Sequence, residues 1–168
     1  MADTPAPAAN SWLRRLDLAL LLLIIGFCAL VIVDAVAGVA TVWPYLLLHA
    51  LHNHLGRLAL ALAAVMLALA VYVGIVRKGD VTPLFRRATY IIFGTLVLEA
   101  LIGGTMYLFY NARPAEDVHL IYGLGTVLSL PFFIFVETTA KKRPAMGSYI
   151  WGFALLAGIV VRSILTGS

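Results

Sequence analysis

Charge and cysteine are what this chain has least of. Asp, Glu, Lys and Arg make up only 12% of it against 62% hydrophobic residues, and mean hydropathy is +1.00. That balance excludes a soluble globular domain, whose surface must carry polar groups into water. The single cysteine, Cys28, stands inside an apolar run, so neither a disulfide nor a thiolate metal cluster can form within one chain. It reads as a small packing residue. A phosphate-cradling glycine loop, a dinucleotide fingerprint after a strand and a nucleophile elbow are all missing. Chemistry must come from four histidines, a few charges inside apolar segments, and a cofactor.

What is present is lipid-compatible sequence. Five segments approach or reach the roughly 20 residues needed to cross the hydrocarbon core: about Leu16–Val36, Leu55–Val76, Ala88–Tyr110, Val118–Val136 and Ser148–Leu165. The expected fold is therefore an all-α integral membrane protein with five transmembrane helices, the first four forming a cytochrome b-like four-helix bundle. Residues 1–15 read as a disordered cytoplasmic N-terminus, 16–136 as the bundle, and 137–168 as a cytoplasmic loop followed by the fifth helix.

Orientation follows from lysine and arginine, which stay on the cytoplasmic side. Arg14, Arg15, Arg77, Lys78, Arg86, Arg87, Lys141, Lys142 and Arg143, nine of the twelve basic residues, fall on one side of this scheme. The N-terminus is expected inside and the C-terminus outside, in the cytoplasmic (inner) membrane of a bacterium. The pI of about 9.5 then reflects this bias and contact with lipid headgroups, and nucleic acid is not an expected partner. Arg14-Arg15 and a later Ala35-Val36-Ala37 also resemble a signal peptide, but the apolar run Leu18–Val33 is at or beyond the upper length of a signal core.

Two histidines, His52 and His119, each open a long apolar segment on the same predicted outer side. Two imidazoles converging inside a helical bundle hold a haem iron from both faces. At helical spacing from His52 lie Gly56, Ala59, Ala63 and Met66, and from His119 lie Gly123 and Thr126, small positions that leave room for a flat macrocycle. Trp43 and Tyr45 fit an interfacial aromatic belt, with a short helix before His49 either lying on the surface or feeding the second span. His54 points about 200° around the helix from His52, so both cannot serve one iron; it is the substitute ligand if the register slips. Arg57 and Arg113 are placed to pair with haem propionates. Gly94, Gly103 and Gly104 permit close approach in the third helix, and Pro131 is expected to kink the fourth.

Three of these stretches carry a family resemblance. His49-Ala50-Leu51-His52-Asn53-His54-Leu55-Gly56-Arg57 resembles the Glu-x-x-His-Arg-x-Leu-Gly-Arg opening of the second helix in haem A synthases. Glu99-Ala100-Leu101-Ile102-Gly103-Gly104-Thr105 is similar to their Gln-x-x-Leu-Gly-Gly third-helix pattern, and His119-Leu120 falls at their fourth-helix His-Leu. The resemblance covers roughly Leu16–Val136, one four-helix half of an eight-helix fold, and implies haem b ligated by His52 and His119. Two departures bear on catalysis: His49 occupies the family's catalytic Glu position and Asn53 its Arg. The second half is absent from this stretch, and a homodimer would regenerate it, with the fifth helix as interface or periphery.

Glu99 lies about eleven residues from either end of the third segment, and a carboxylate at that depth is costly enough to mark a candidate functional site. Glu99 and His49 are the candidates for a proton or quinol site; a structural Glu99 would aim instead at Thr95, Thr105 or Thr126. Asp34, Asp117 and Arg162 lie near helix ends, where they snorkel or meet headgroups. The leading expectation is a haem b protein for membrane electron transfer, or a haem-bearing subunit of a respiratory or photosynthetic complex. The alternatives are a single-half haem A synthase-like enzyme and a structural or chlorin-binding subunit.

Overall fold

The computed structural model describes residues 11–37, 44–140 and 145–167. The expected tail over residues 1–10, the belt residue Trp43, and Lys141, Lys142 and Arg143 lie outside the described residues, as do the side chains of Arg14 and Arg15.

Five helices make up the described chain: α1 (Ser11–Ala37), α2 (Pro44–Val71, prolonged by a π-helical turn over Tyr72–Val76), α3 (Pro83–Phe109), α4 (Val118–Ala140) and α5 (Met146–Gly167). Pro44–Val76, Pro83–Phe109, Val118–Thr139 and Met146–Gly167 are long and apolar enough to cross a membrane, and the described apolar stretch of α1 is Leu21–Ala37. The protein is thus an all-α membrane protein whose natural surroundings are a lipid bilayer.

Several helices begin before the hydropathy does. α1 runs from Ser11, into the stretch assigned to the N-terminal tail. α2 begins at Pro44, a residue suited to the first helical position because it has no N–H to leave unpaired. The helix expected to precede His49 is therefore the start of α2 itself, and His52 sits about 12 Å along it, more than two turns inside. α3 starts at Pro83, where the Thr82 hydroxyl accepts the Phe85 N–H at 3.2 Å. Arg86 and Arg87, assigned to a loop by hydropathy, are thus in its first turns. α4 passes unbroken through Pro131.

Packing corrects the expected bundle. α2, α3, α4 and α5 close a four-membered ring in which consecutive helices pack on one another and α5 returns to α2; α1 lies outside, against α2 and α3. The diagonal pairs α2/α4 and α3/α5 make no backbone approach within 8 Å among the described residues. The fifth helix is therefore central: Tyr149, Phe153, Leu156 and Val160 join the core with Leu55, Leu58, Phe85, Ile92 and Leu96. Gly152 allows this fit, since a Cβ there would lie 3.1 Å from the Phe133 Cβ on α4. Small residues at helix contacts are what association in lipid depends on, because burial from lipid brings no hydrophobic gain.

The two ends of the ring differ. One carries the α2–α3 and α4–α5 connections, joined where Asp80 Oδ1 accepts the Ala145 N–H at 2.7 Å. Beside it Arg86 on α3 pairs with Glu137 on α4 at 2.5 Å, and the Tyr149 hydroxyl on α5 donates to the other Glu137 oxygen at 3.1 Å. Glu137 is 9% exposed. Sequence analysis did not single out this cluster, which links residues 51 and 12 positions apart. Stripping one partner from a buried pair leaves an uncompensated charge at a usual cost of about 3–5 kcal/mol, and Glu137→Ala is expected to cost less, about 2–3 kcal/mol, because Arg86 is partly exposed. Tyr149→Phe should cost about 1 kcal/mol. Unfolding in mixed micelles measures both.

Candidate functional site

The opposite end holds the histidines. α2 descends from that end and α3 returns to it, as do α4 and α5, so the starts of α2 and α4 meet the ends of α3 and α5. His52 from α2 and His119 from α4 face each other across the ring, with centroids 6.1 Å apart and planes at 78°. The diagonal gap between these two helices is bridged by the rings themselves.

Each imidazole rests on a glycine of the next helix. A Cβ on Gly103 of α3 would stand 2.9 Å from His52 Cε1, and one on Gly167 of α5 would stand 2.6 Å from His119 Cε1. The two helical hairpins thus repeat one device: a histidine from the first helix seated on a glycine from the second. Their nitrogens differ. His119 Nδ1 lies 2.9 Å from the Ser163 carbonyl, which only accepts, so Nδ1 is the donor and in the neutral ring Nε2 holds the lone pair. His52 Nδ1 is buried without a hydrogen-bond partner.

His54 is turned away from the pair. Its Nε2 lies 3.6 Å from Asp34 on α1 and its Nδ1 donates to the Ala50 carbonyl at 2.8 Å, so the register of α2 presents His52, and not His54, to His119. His49 is exposed, 3.4 Å from the Asn53 amide and with its ring centroid 6.0 Å from that of Tyr45. Of the two residues considered for a proton or quinol site, the fold brings in Glu99 alone.

Glu99 lines a cavity of about 30 Å³ with His52, Leu96, Ala100, Gly123 and Thr126. That volume holds one or two waters. Gly123 and Thr126 face it as the spacing from His119 anticipated. Gly56 does not leave open space: a Cβ there would lie 2.9 Å from a Glu99 carboxyl oxygen, and Ala59 and Ala63 are fully buried in the core. Among the three threonines considered as partners, Thr95, Thr105 and Thr126 each donate to a carbonyl of their own helix, and only Thr126 shares the cavity.

Arg57 is exposed on α2. Arg113 is exposed as well and donates to the Tyr107 hydroxyl, its guanidinium 4.6 Å from that ring's centroid. Asp117 is exposed, and Arg162 stands 5.7 Å from the Tyr122 ring.

The donors present can be tested against an iron group. Among the described residues no three His, Cys, Asp or Glu side chains converge, so the protein alone cannot complete a metal shell there. Two imidazoles suffice only when a macrocycle supplies the equatorial nitrogens. His52 and His119, with ring centroids 6.1 Å apart, are the two residues that would hold such a group. The carbonyl partner of His119 Nδ1 and the two glycine seats suit the same role. The neighbouring cavity is far smaller than a macrocycle, so uptake requires side chains between α2 and α4 to part. No protein family, no curated protein and no solved structure matches this chain, and its likeness to haem A synthases rests on the motifs alone.

Proposed function

We propose that this protein binds one haem b between His52 and His119 and serves in membrane electron transfer, alone or as a subunit of a larger redox complex. The observation that carries the reading is the facing of these two rings across a diagonal of the bundle where the helices themselves stay apart. Haem held there supplies a one-electron carrier. The protein's part is to orient two neutral imidazoles, to keep water near the site to a volume of about 30 Å³, and to place Glu99 beside His52.

The proposed orientation puts the end bearing Arg77, Lys78, Arg86 and Arg87 in the cytoplasm and the histidine end at the outer leaflet of a bacterial inner membrane, with α1 as a fifth span. Haem A synthesis fits less well. The position matching that family's catalytic carboxylate is His49, which is exposed and paired with Asn53 rather than directed at the cavity. A homodimer or a quinol partner is compatible with this arrangement and is not needed for two-histidine ligation.

An absorbance spectrum of the purified chain, as isolated and after hemin addition, tests the reading. A Soret band with a sharp reducible α band is expected. Far-red bands would assign the site to a chlorin, and a colourless protein that takes up no hemin would leave the histidines as structural polar groups.

A further inference from the structure

α5 has no counterpart in the stretch that resembles haem A synthases, yet its last turn meets the site. The final carbonyls of any helix lack partners within the helix. Here one of them is met from the connection before α4, Glu116 donating its backbone N–H to the Thr166 carbonyl at 3.1 Å, and earlier in the same turn the Ser163 carbonyl accepts from His119 Nδ1 at 2.9 Å. The Thr166 hydroxyl reaches back to the Arg162 and Ser163 carbonyls at 2.9 and 3.3 Å, keeping the turn closed. Gly167 then lies so near the His119 ring that a Cβ would sit 2.8 Å from Nδ1 and 3.3 Å from Nε2. His52 has a matching seat on Gly103, with the Glu99 carbonyl one turn before it interacting with the ring, but its Nδ1 makes no hydrogen bond as close as the 2.9 Å at His119.

From these contacts we propose that the last turn of α5, Ser163–Gly167, is the positioning element for His119, fixing its tautomer and ring plane so that Nε2 is presented as the ligand. The proposal rests on the haem reading. A carbonyl partner on the distal nitrogen makes an imidazole a stronger donor. The carbonyl end of a helix adds partial negative charge, which favours an electron-rich ring. The predicted consequence is that a haem held by His119 would have a lower reduction potential with this turn intact than with it disturbed.

The experiment uses the full chain in detergent or nanodiscs, with Gly167→Val and the milder Gly167→Ala, and with Gly158→Val as control, since a Cβ at Gly158 meets nothing within 4 Å. Nitrogen chemical shifts of the haem-free protein should show His119 protonated at Nδ1 in the parent and in the control, and a mixed tautomer in both Gly167 variants. With hemin, Gly167→Val should bind at least tenfold more weakly or turn from low-spin to high-spin, Gly167→Ala should shift the reduction potential upward, and Gly158→Val should do neither. If Gly167→Val fails to fold by circular dichroism, Gly167→Ala decides the matter on tautomer and potential. Unchanged His119 shifts together with unchanged hemin binding in the Gly167 variants would overturn the proposal while leaving haem binding intact. A parent protein that takes up no hemin overturns the haem reading instead, and the nitrogen shifts then still judge the hold of α5 on His119.

Discussion

His52→Ala and His119→Ala are each expected to abolish a low-spin haem spectrum, leaving high-spin residual binding or none, whereas His54→Ala and His49→Ala leave it in place. The contrast comes from where the four rings are held. His52 and His119 face one another at 6.1 Å, His54 is occupied by Asp34 and the Ala50 carbonyl, and His49 is exposed beside Asn53. Loss of a group that merely supports a ligand costs about 10- to 100-fold in metal affinity, so loss of a ligand itself should exceed ~100-fold. Hemin titration of the four variants, read at the Soret band and by electron paramagnetic resonance, gives the result. A spectrum lost on His54→Ala and kept on His52→Ala would show that the other face of α2 holds the cofactor, and indifference to all four would remove the cofactor altogether.

Gly103→Leu should be nearly as damaging although the residue carries no chemistry. A Cβ at 2.9 Å from His52 Cε1 cannot be accommodated unless the ring moves, and a leucine drives it further toward the gap between α2 and α4. Overpacking of this kind costs about 1–3 kcal/mol, which applied to the ligand position is about 5- to 150-fold in hemin affinity. Gly104→Leu is the matched control, because a Cβ at Gly104 meets nothing within 4 Å. Equal effects of the two substitutions would mean that α3 tolerates bulk poorly in general and that Gly103 is no seat. Helicity and elution volume, unchanged in both, separate a local effect on the ring from failure of the bundle.

The membrane class and the helical segments were legible in the chain because lipid allows so few spanning structures that hydropathy alone selects among them. The matched placement of His52 and His119 was legible for a related reason: alternating crossings return the starts of α2 and α4 to one side. The angular separation of His52 from His54 needed only 3.6 residues per turn. The partnership of the helices was not legible. All five are apolar around most of their circumference, and which of them close the ring is decided by contacts such as Gly152 on Phe133, a fit between residues distant in the chain. For the same reason α5 was expected at the periphery and forms part of the core. Polar residues misplaced the helix starts, since hydropathy treats His49–His54 and Arg86-Arg87 as loop-like although Pro44 and the Thr82 cap begin the helices ahead of them. Gly56 looked like room for a ring and is room for the Glu99 carboxyl, a distinction that depends on which neighbour faces it.

Polar bonds that cross from the α2–α3 hairpin to the α4–α5 hairpin, among the described residues, gather at one end: Arg86 with Glu137, and Asp80 with Ala145. At the other end the hydrogen bonds of His119 and Glu116 stay within the second hairpin, and the hairpins meet there through side-chain packing and the two facing rings. The molecule is therefore built like a pair of tongs, riveted by polar bonds at the basic end and closed by packing alone at the tip. If haem is bound as proposed, its entry would part the histidine end, where no polar bond among the described residues joins the hairpins, before the riveted end.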